Sequence, residues 1–248
     1  MDSSGTRPTS HPQQPLTASI ALTKKDRTRR MVAVGIGNFM EWFDFAIYGY
    51  FAAIIGAQFF PSGNATAEML SSLAVFAVGF ISRPFGALIL GPLGDRLGRR
   101  SVLIVTVLGM GVVTALIGLT PSYAAIGIAA PIIIVVLRLL QGGFAGSEWT
   151  SAAAYIGESA PGAKRAVYAS VVTGTAGLAF LIGTITAAVL TASMSAESLQ
   201  SWGWRLPFIA SLVMAVVAIY IRPKHQDTPV YEDVEPPRAT NTQEPTPT

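Results

Sequence analysis

Long apolar runs recur along this chain, and each is long enough to cross a lipid bilayer. About 20 mostly apolar residues span the hydrocarbon core, where every backbone group must bond within a helix or a closed barrel. Hydrophobic residues make up 51% of the chain and charged residues only 12%. The runs lack the alternation over about ten residues that membrane strands show. The sequence therefore predicts an all-α membrane protein.

Six apolar runs predict six transmembrane helices within residues 31–222. Residues 1–30 are rich in Pro, Ser and Thr and end in a basic cluster, whereas residues 223–248 are polar and Pro-rich. Segments of this composition cannot bury enough apolar surface to fold, so we expect two disordered tails. The predicted helices are Met31–Ala57, Glu68–Leu90, Ser101–Leu119, Ala125–Gly146, Tyr168–Thr191 and Leu206–Ile221.

Lysine and arginine fall on alternate connections between the predicted helices. Cytoplasmic loops carry the excess of these residues, so both termini are expected in the cytoplasm of a multi-pass plasma-membrane protein, the inner membrane in a bacterium. No pattern of a cleaved signal peptide precedes Met31, so the first helix is expected to direct insertion. The basic positions are Lys24, Lys25, Arg27, Arg29, Arg30, Arg96, Arg99, Arg100, Lys164, Arg165, Arg222 and Lys224.

Composition argues against several other functions. The net charge of +3 is explained by the basic residues of alternate loops. The sequence has no basic segment with interleaved aromatic residues, so nucleic acid is not an expected partner. The chain has no cysteine, and its two histidines, His11 and His225, lie in the predicted tails. We therefore expect no metal site, no histidine-based triad and no cofactor. The apolar runs predict the lipid bilayer as a partner.

Polar residues interrupt two of the predicted helices at helical spacing. Asn38, Glu41, Asp44 and Tyr48 are separated by three, three and four residues and are expected along one face. A charge near the centre of a membrane helix costs roughly 2.5–3.5 kcal/mol, so these faces should point into the bundle. The fourth helix contributes a second stripe, Arg138, Gln141 and Glu148. Two such stripes predict a shared, water-filled cavity.

Two interpretations of these charges remain open. They could be structural pairs, such as Arg138 with Asp44 or Glu41, that hold the helices together. Alternatively, the acids take up and release a proton during function. Burial disfavours the charged form of an acid and a nearby arginine favours it, so the protonation of the acid would depend on the side of the membrane to which the cavity is open. Under the second interpretation, Glu41→Gln, Asp44→Asn and Arg138→Gln each abolish coupled uptake and leave the protein in the membrane.

One polar stretch stands between the second and third predicted helices. Gly91-Pro92-Leu93-Gly94-Asp95-Arg96-Leu97-Gly98-Arg99-Arg100 has four charges and three glycines in ten residues and predicts a tight loop. Gly91 and Gly98 would remove side chains where the chain turns or another helix comes close. Asp95 could cap a helix or pair with a basic group. The arginines could also serve only to orient the chain.

Further short motifs follow the helices from the first to beyond the sixth. They are Gly37-Asn38-Phe39-Met40-Glu41-Trp42-Phe43-Asp44-Phe45, Arg83-Pro84-Phe85-Gly86, Arg138-Leu139-Leu140-Gln141-Gly142, Gly146-Ser147-Glu148-Trp149, Trp202-Gly203-Trp204-Arg205-Leu206-Pro207-Phe208 and Asp227-Thr228-Pro229.

Together these motifs resemble the major facilitator superfamily and, within it, the metabolite:proton symporter family of proline/betaine, 2-oxoglutarate, citrate and shikimate carriers. The resemblance implies proton-coupled symport of a small organic acid, amino acid or betaine, with Arg138 linked to proton movement. Ser147 departs from the usual glycine. Either Arg138 or Arg83 could meet a substrate carboxylate. The resemblance also implies a gating role for Gly91, Asp95, Arg96, Gly98, Arg99 and Arg100.

The resemblance implies a fold of twelve helices in two six-helix halves, with substrate held between the halves. This chain corresponds to the N-terminal half, so we expect a truncated or half-length form. It would work with a complementary half or with a second copy of itself. The alternatives are a non-transporting membrane scaffold or an ion channel. An intramembrane enzyme lacks support, because no hydroxyl has a histidine or lysine beside it in its helix.

Glycines within the predicted helices indicate close helix packing. Gly142 and Gly146 form a small-xxx-small pair, and Gly174, Gly177 and Gly183 thin the fifth helix. In a carrier, thin faces would also let helices slide, and the spacing does not separate the two roles.

Overall fold

The computed structural model describes residues 24–97, 99–159 and 165–221. Within these ranges the chain is helical and forms no strand, as the composition predicted. A π-helical turn, Leu199–Gly203, precedes the last helix. The helices are α1 (Lys24–Tyr50), α2 (Ala52–Phe59), α3 (Ala65–Leu97), α4 (Arg99–Leu119), α5 (Tyr123–Ile126), α6 (Ala129–Ser159), α7 (Arg165–Ser193), α8 (Ala196–Ser198) and α9 (Arg205–Ile221).

The long helices of the described ranges pack in pairs around one core. α1 packs on α7, α3 on α6 and α4 on α9, while contacts of α4 with α6 and of α1 with α9 join the pairs. α2 nearly continues α1, because Phe51 keeps helical hydrogen bonds on both sides, to Ile47 and from Ile55. Aromatic rings fill the core where α1, α2 and α9 meet, among them Phe43, Tyr48, Phe51, Phe59, Trp204 and Phe208.

Polarity is distributed as in a membrane protein, with charges inside and apolar side chains outside. Glu41, Asp44 and Arg138 are each exposed by no more than 2%. Large apolar side chains cover the outer surface, including Ile81 at 66%, Leu88 at 72% and Val213 at 65% exposed. A soluble protein rarely exposes so continuous an apolar surface. The membrane class inferred from composition therefore agrees with the tertiary structure.

Fewer than six helices of the described ranges meet the length and composition of a membrane crossing. By length and composition, three helical segments of the described ranges can cross a bilayer: Ala65–Leu93, Ala129–Gly146 and Ala169–Ser193. Ala196–Gly203 with Arg205–Tyr220, bent by 41°, would make a fourth. α4 offers only the shorter apolar segment Ile104–Leu119. Six crossings therefore remain a prediction.

Several helices extend further than the apolar runs indicated. α1 begins at Lys24, so residues 24–30, which composition placed in a disordered tail, are helical. Lysine and arginine are good helix formers, and a helix does not have to end where its hydrophobic length ends. α6 likewise continues to Ser159 rather than ending at Gly146. Residues 1–23 and 222–248 lie outside the described ranges.

The predicted tight loop at residues 91–100 is mostly helical. α3 runs through Pro84 and Pro92 to Leu97, and α4 begins at Arg99. Gly91 is exposed, with no atom within 4 Å of the position where its Cβ would lie. It therefore marks neither a turn nor a close helix contact, contrary to the sequence interpretation. Gly98 is outside the described residues, as are the side chains of Asp95, Arg96, Arg99 and Arg100.

The glycines fall into two groups. A Cβ at Gly142 would overlap the Gly79 carbonyl oxygen, and a Cβ at Gly146 would overlap backbone atoms of Arg83. The close packing predicted for this pair is therefore confirmed, between α6 and α3. On α7, Gly183 lies against Ala46, but Gly174 and Gly177 have open space within 4 Å, so their predicted packing role was wrong.

Candidate functional site

Asp44 lies at the centre of a buried hydrogen-bond network that joins four helices. Its Oδ2 accepts a hydrogen bond of 2.6 Å from the Thr114 hydroxyl on α4. Its Oδ1 accepts one of 2.8 Å from the Ser211 hydroxyl on α9. Gln141 on α6 donates from Nε2 to Oδ2 at 3.3 Å and to the Thr114 hydroxyl at 2.8 Å. A carboxylate that accepts several hydrogen bonds can remain ionised inside an apolar bundle.

Arg138 connects to this network through Gln141. Its Nη1 donates to Oε1 of Gln141, whose amide nitrogen in turn faces Asp44. The guanidinium carbon lies 3.5 Å from the ring centroid of Tyr48 and 5.4 Å from that of Phe76. Stacking on aromatic rings stabilises a buried arginine and restricts its orientation. In place of the suggested direct pair with Asp44, the structure has an amide between the two charges.

Glu41 pairs with Arg83 on α3 rather than with Arg138. Oε1 of Glu41 and Nη2 of Arg83 are 2.6 Å apart, with side-chain exposures of 3% and 21%. Two phenyl rings flank the guanidinium, with centroids 5.0 Å away for Phe45 and 4.5 Å away for Phe80. The suggested pair of Glu41 with Arg138 was therefore wrong. A spacing rule within one helix cannot identify which neighbouring helix supplies the counter-ion.

The predicted polar stripe of α1 faces several helices instead of one. Asn38 donates a 2.8 Å hydrogen bond to Thr175 on α7, while the hydroxyl of Tyr48 donates to the Ser72 carbonyl oxygen on α3 at 3.1 Å. Successive helical residues turn by about 100°, so Asn38 and Asp44 point about 120° apart. The stripe is wide enough to contact α3, α4, α6, α7 and α9.

A pocket lies between α1, α3, α4 and α6 and brings together charges from both predicted stripes. Glu41 comes from α1, and Arg138 and Gln141 come from α6. Apolar side chains and two glycines complete the wall, so the polar groups of the pocket are few. The remaining lining residues are Phe45, Phe76, Gly79, Met110, Gly142 and Ala145.

Several members of the site were not singled out from the sequence. Thr114 and Ser211 bind Asp44, Thr175 accepts from Asn38, and Ser72 contacts Tyr48. Each is a hydroxyl residue within a mostly apolar run, and the sequence gives no other signal for them. The Glu148 side chain, predicted for the same cavity, lies outside the described side chains.

A helical bundle with an apolar exterior and a buried charged pocket is the architecture of a membrane solute carrier. The chain belongs to the sugar (and other) transporter family, whose model matches residues 30–239. This confirms the family that the motifs of the chain resemble.

Named relatives are transporters rather than enzymes. The chain is 42% identical over 209 residues to the inner membrane metabolite transport protein YhjE of Escherichia coli K12, covering 84% of this chain and 48% of that protein. It is 36% identical over 204 residues to the proline/betaine transporter of Salmonella typhimurium LT2, covering 82% and 41%. The chain thus spans about half the length of the curated relatives that it matches.

Solved structures confirm the fold. The major facilitator superfamily proton:xylose symporter XylE, bound to 6-bromo-6-deoxy-D-glucose, superposes with a TM-score of 0.70 at 19% identity. The match covers 82% of this chain and 45% of XylE. The helices of this chain are therefore arranged as in part of a major facilitator protein.

Proposed function

We propose that this chain forms one six-helix half of a secondary active carrier that moves a small solute together with a proton. The solute is an organic acid, amino acid or betaine, in line with the relatives named as metabolite and proline/betaine transporters. The second half is either a complementary six-helix unit or another copy of this chain. The proton is the coupling ion.

The network around Asp44 carries this proposal. As an ionised acid, Asp44 accepts from Thr114, Ser211 and Gln141. A hydroxyl can donate or accept, so the same partners can also serve a protonated acid. Ser211 already has an alternative acceptor, the Pro207 carbonyl oxygen at 3.3 Å. When Asp44 takes up a proton, Ser211 can donate to Pro207 and accept from Asp44 without an unsatisfied group.

This exchange of hydrogen bonds would couple protonation to helix packing. Thr114 lies on α4, Ser211 on α9 and Gln141 on α6, so Asp44 links α1 to three neighbours. Ionisation strengthens these links, because hydrogen bonds to a charged group are worth about 1.5–3 kcal/mol, against about 1 kcal/mol for neutral ones. Protonation weakens them and lets α1 move relative to α4 and α9. A carrier that alternates its access needs such a two-state element.

Vesicles of purified chain test the coupling. An inward solute gradient should acidify the lumen, read by a trapped pH-sensitive dye, and Asp44→Asn should abolish this acidification. Glu68→Gln is the matched control, because Glu68 is a half-buried acid outside the Asp44 network and accepts hydrogen bonds from the backbone of Ser62 and Gly63. Ion flux without saturation would indicate a channel and contradict the proposal. The absence of flux and acidification would contradict a carrier made of two copies of this chain, and it would indicate a scaffold if it persisted with a complementary half present.

We further propose six crossings, with both termini on the cytoplasmic side of the plasma membrane. The chain has no cysteine, so single cysteines can be introduced without background. Cysteine at Ser62, Ser122 or Ser195 should react with an impermeant maleimide in intact cells. Cysteine at Ser10 or Thr246 should react only after lysis. The opposite labelling pattern would reverse the proposed orientation.

The stretch from Gly91 to Arg100 is proposed to gate access on the cytoplasmic side. In the described part, α3 and α4 approach each other there as two helix ends rather than through an extended loop. Since only one residue separates the end of α3 at Leu97 from the start of α4 at Arg99, movement of α3 should carry α4 with it. Arg96→Gln and Arg99→Gln should each slow uptake without changing the amount of protein in the membrane, whereas unchanged uptake would limit these residues to orienting the chain.

A further inference from the structure

We infer that Arg138, and not Arg83, receives the carboxylate group of the transported solute. This inference rests on the proposed function and specifies the part of the solute that the site recognises. Both arginines were candidates from the sequence. Their surroundings in the folded chain differ in three respects: the groups that already bind them, their burial and their access to the pocket.

Arg138 is held in place but incompletely bonded. Nη1 donates to Gln141, and the guanidinium lies 3.5 Å from the ring centroid of Tyr48. Nε and Nη2 are buried and have no hydrogen-bond partner among the described side chains. Arg138 itself is only 1% exposed. An unmet donor in such a site is costly, so this edge is prepared for a ligand that accepts two hydrogen bonds.

The two unmet donors of Arg138 are the pair that a carboxylate fits. Nε–H and one Nη–H of a guanidinium point the same way, and a carboxylate bonds both with its two oxygens. Arg138 also lines the pocket between α1, α3, α4 and α6, together with Glu41 and Phe76. The pocket has a volume of about 10 Å³, so the surrounding helices must move apart before a carboxylate can enter and complete the bonding of Arg138.

Arg83 has the same two donors without a hydrogen-bond partner in the described part of the chain, Nε and Nη2, but its charge is already paired with that of Glu41. Its Nη2 lies 2.6 Å from the Glu41 carboxylate, so an entering carboxylate would have to displace an existing one. The rings of Phe45 and Phe80 also flank its guanidinium. Of these two arginines, Arg138 is the one that lines the pocket. Arg83 is therefore assigned to neutralising Glu41.

Charge balance connects this carboxylate to the proton. When ionised, Glu41 and Asp44 balance Arg83 and Arg138, and all four groups are buried or half-buried. A bound carboxylate adds one negative charge to this balanced set, which is unfavourable in a medium of low dielectric constant. A proton on Asp44, or a cationic group on the same solute, restores the balance. An anionic solute should therefore enter with a proton.

Equilibrium binding to the full chain in lipid nanodiscs tests the inference without requiring transport. The probes are radiolabelled proline, 2-oxoglutarate and shikimate, with unlabelled prolinamide and xylose as competitors that have no carboxylate. At least one carboxylate should bind, and neither competitor should displace it. Arg138→Lys should weaken binding at least tenfold, because a lysine cannot form the paired contact.

Arg205→Lys is the matched control, since it makes the same replacement at an arginine outside the pocket and should leave affinity unchanged. Circular dichroism of each variant confirms that the helices are retained. Absence of binding by all three carboxylates overturns the inference. So does displacement by prolinamide, retained affinity in Arg138→Lys, or a larger loss in Arg83→Lys than in Arg138→Lys.

The two proposals can fail separately. Carboxylate binding through Arg138 without luminal acidification would contradict proton coupling and support the assignment of Arg138. Proton-coupled uptake of xylose, which has no carboxylate, would support the coupling and contradict the assignment.

Discussion

The carbonyl oxygen of Gly143 on α6 occupies the space where a side chain of Gly86 on α3 would begin. Similar contacts occur along the same pair of helices, where Gly142 faces the backbone of Gly79 and Gly146 faces that of Arg83. We call Gly79, Gly86, Gly142 and Gly146 the glycine seam. The seam brings the backbones of α3 and α6 together, and these helices carry Arg83 and Arg138 of the site. Its integrity should therefore control both stability and function.

Adding one methyl group to the seam should destabilise the bundle. Gly86→Ala and Gly142→Ala would each place Cβ against backbone atoms that cannot move aside alone. Overpacking costs typically about 1–3 kcal/mol. Thermal unfolding in detergent, followed by tryptophan fluorescence, should show a lower midpoint for both variants.

Gly177→Ala provides the control for the seam. Gly177 is exposed on α7 and has no atom within 4 Å of its Cβ position. Alanine is favoured over glycine in a helix by about 1 kcal/mol, so this variant should be as stable as the parent or more so. Equal midpoints for Gly86→Ala and Gly177→Ala would show that α3 and α6 separate at no cost, contrary to the seam.

Ser211→Ala should slow proton-coupled uptake. The hydroxyl of Ser211 donates to Asp44 at 2.8 Å and has the Pro207 carbonyl oxygen as its second acceptor. A hydrogen bond to a charged group is worth about 1.5–3 kcal/mol, so we expect a loss of about tenfold or more. Initial rates of pH-driven uptake in vesicles measure this effect. Ser201→Ala, at an exposed serine, should retain the parent rate, and an equal loss in both variants would remove the special role of Ser211.

Removing one partner of the Glu41–Arg83 pair should cost more than removing both. Glu41→Gln leaves Arg83 without its 2.6 Å counter-ion. Loss of one partner of a fully buried pair costs about 3–5 kcal/mol, and the cost here should be smaller because Arg83 is 21% exposed. Unfolding midpoints of Glu41→Gln, Arg83→Gln and the double variant form a cycle. We expect the double variant to lose less stability than either single variant; a loss equal to the sum of the two single losses would show that the pair contributes no coupling.

Arg205 should hold the end of α4 against α9. Its Nη1 donates to the carbonyl oxygens of Gly118 at 2.8 Å and Thr120 at 2.7 Å. These carbonyls lie at the C-terminal end of α4, where carbonyl groups have no N–H donor within the helix. Arg205→Met should lower the free energy of unfolding by about 1–2 kcal/mol. The loss of two fully buried hydrogen bonds would cost more, but water can donate to these carbonyls in place of Arg205. Hydrogen exchange in residues 113–121 should accelerate. Unchanged exchange there would show that water satisfies these carbonyls unaided.

The protein class and part of the site can be predicted from the local sequence. Apolar runs of membrane length identify an all-α membrane protein because the bilayer requires each segment to satisfy its own backbone. A charge inside such a run is costly, so Glu41, Asp44 and Arg138 could be assigned to an interior from the sequence alone. Their burial in the bundle agrees with that assignment.

The helix ends were predicted less accurately than the class, because hydrophobicity indicates where the lipid begins and not where the hydrogen bonds of the helix end. α1 extends back to Lys24 and α3 extends through Pro92 to Leu97, since polar residues continue a helix beyond the bilayer core. Gly91 and Gly177 resembled packing glycines but contact no neighbour, whereas Gly86 does.

Only the tertiary structure decided which charges meet. The sequence by itself determined that Glu41, Asp44 and Arg138 belong to the interior of a helical bundle, because their cost in lipid depends on each helix alone. The pairing of Glu41 with Arg83, and the position of Gln141 between Arg138 and Asp44, depend on the rotation of each helix and on its neighbours. Those quantities are set by packing across the whole bundle, of which the glycine seam between α3 and α6 is one part.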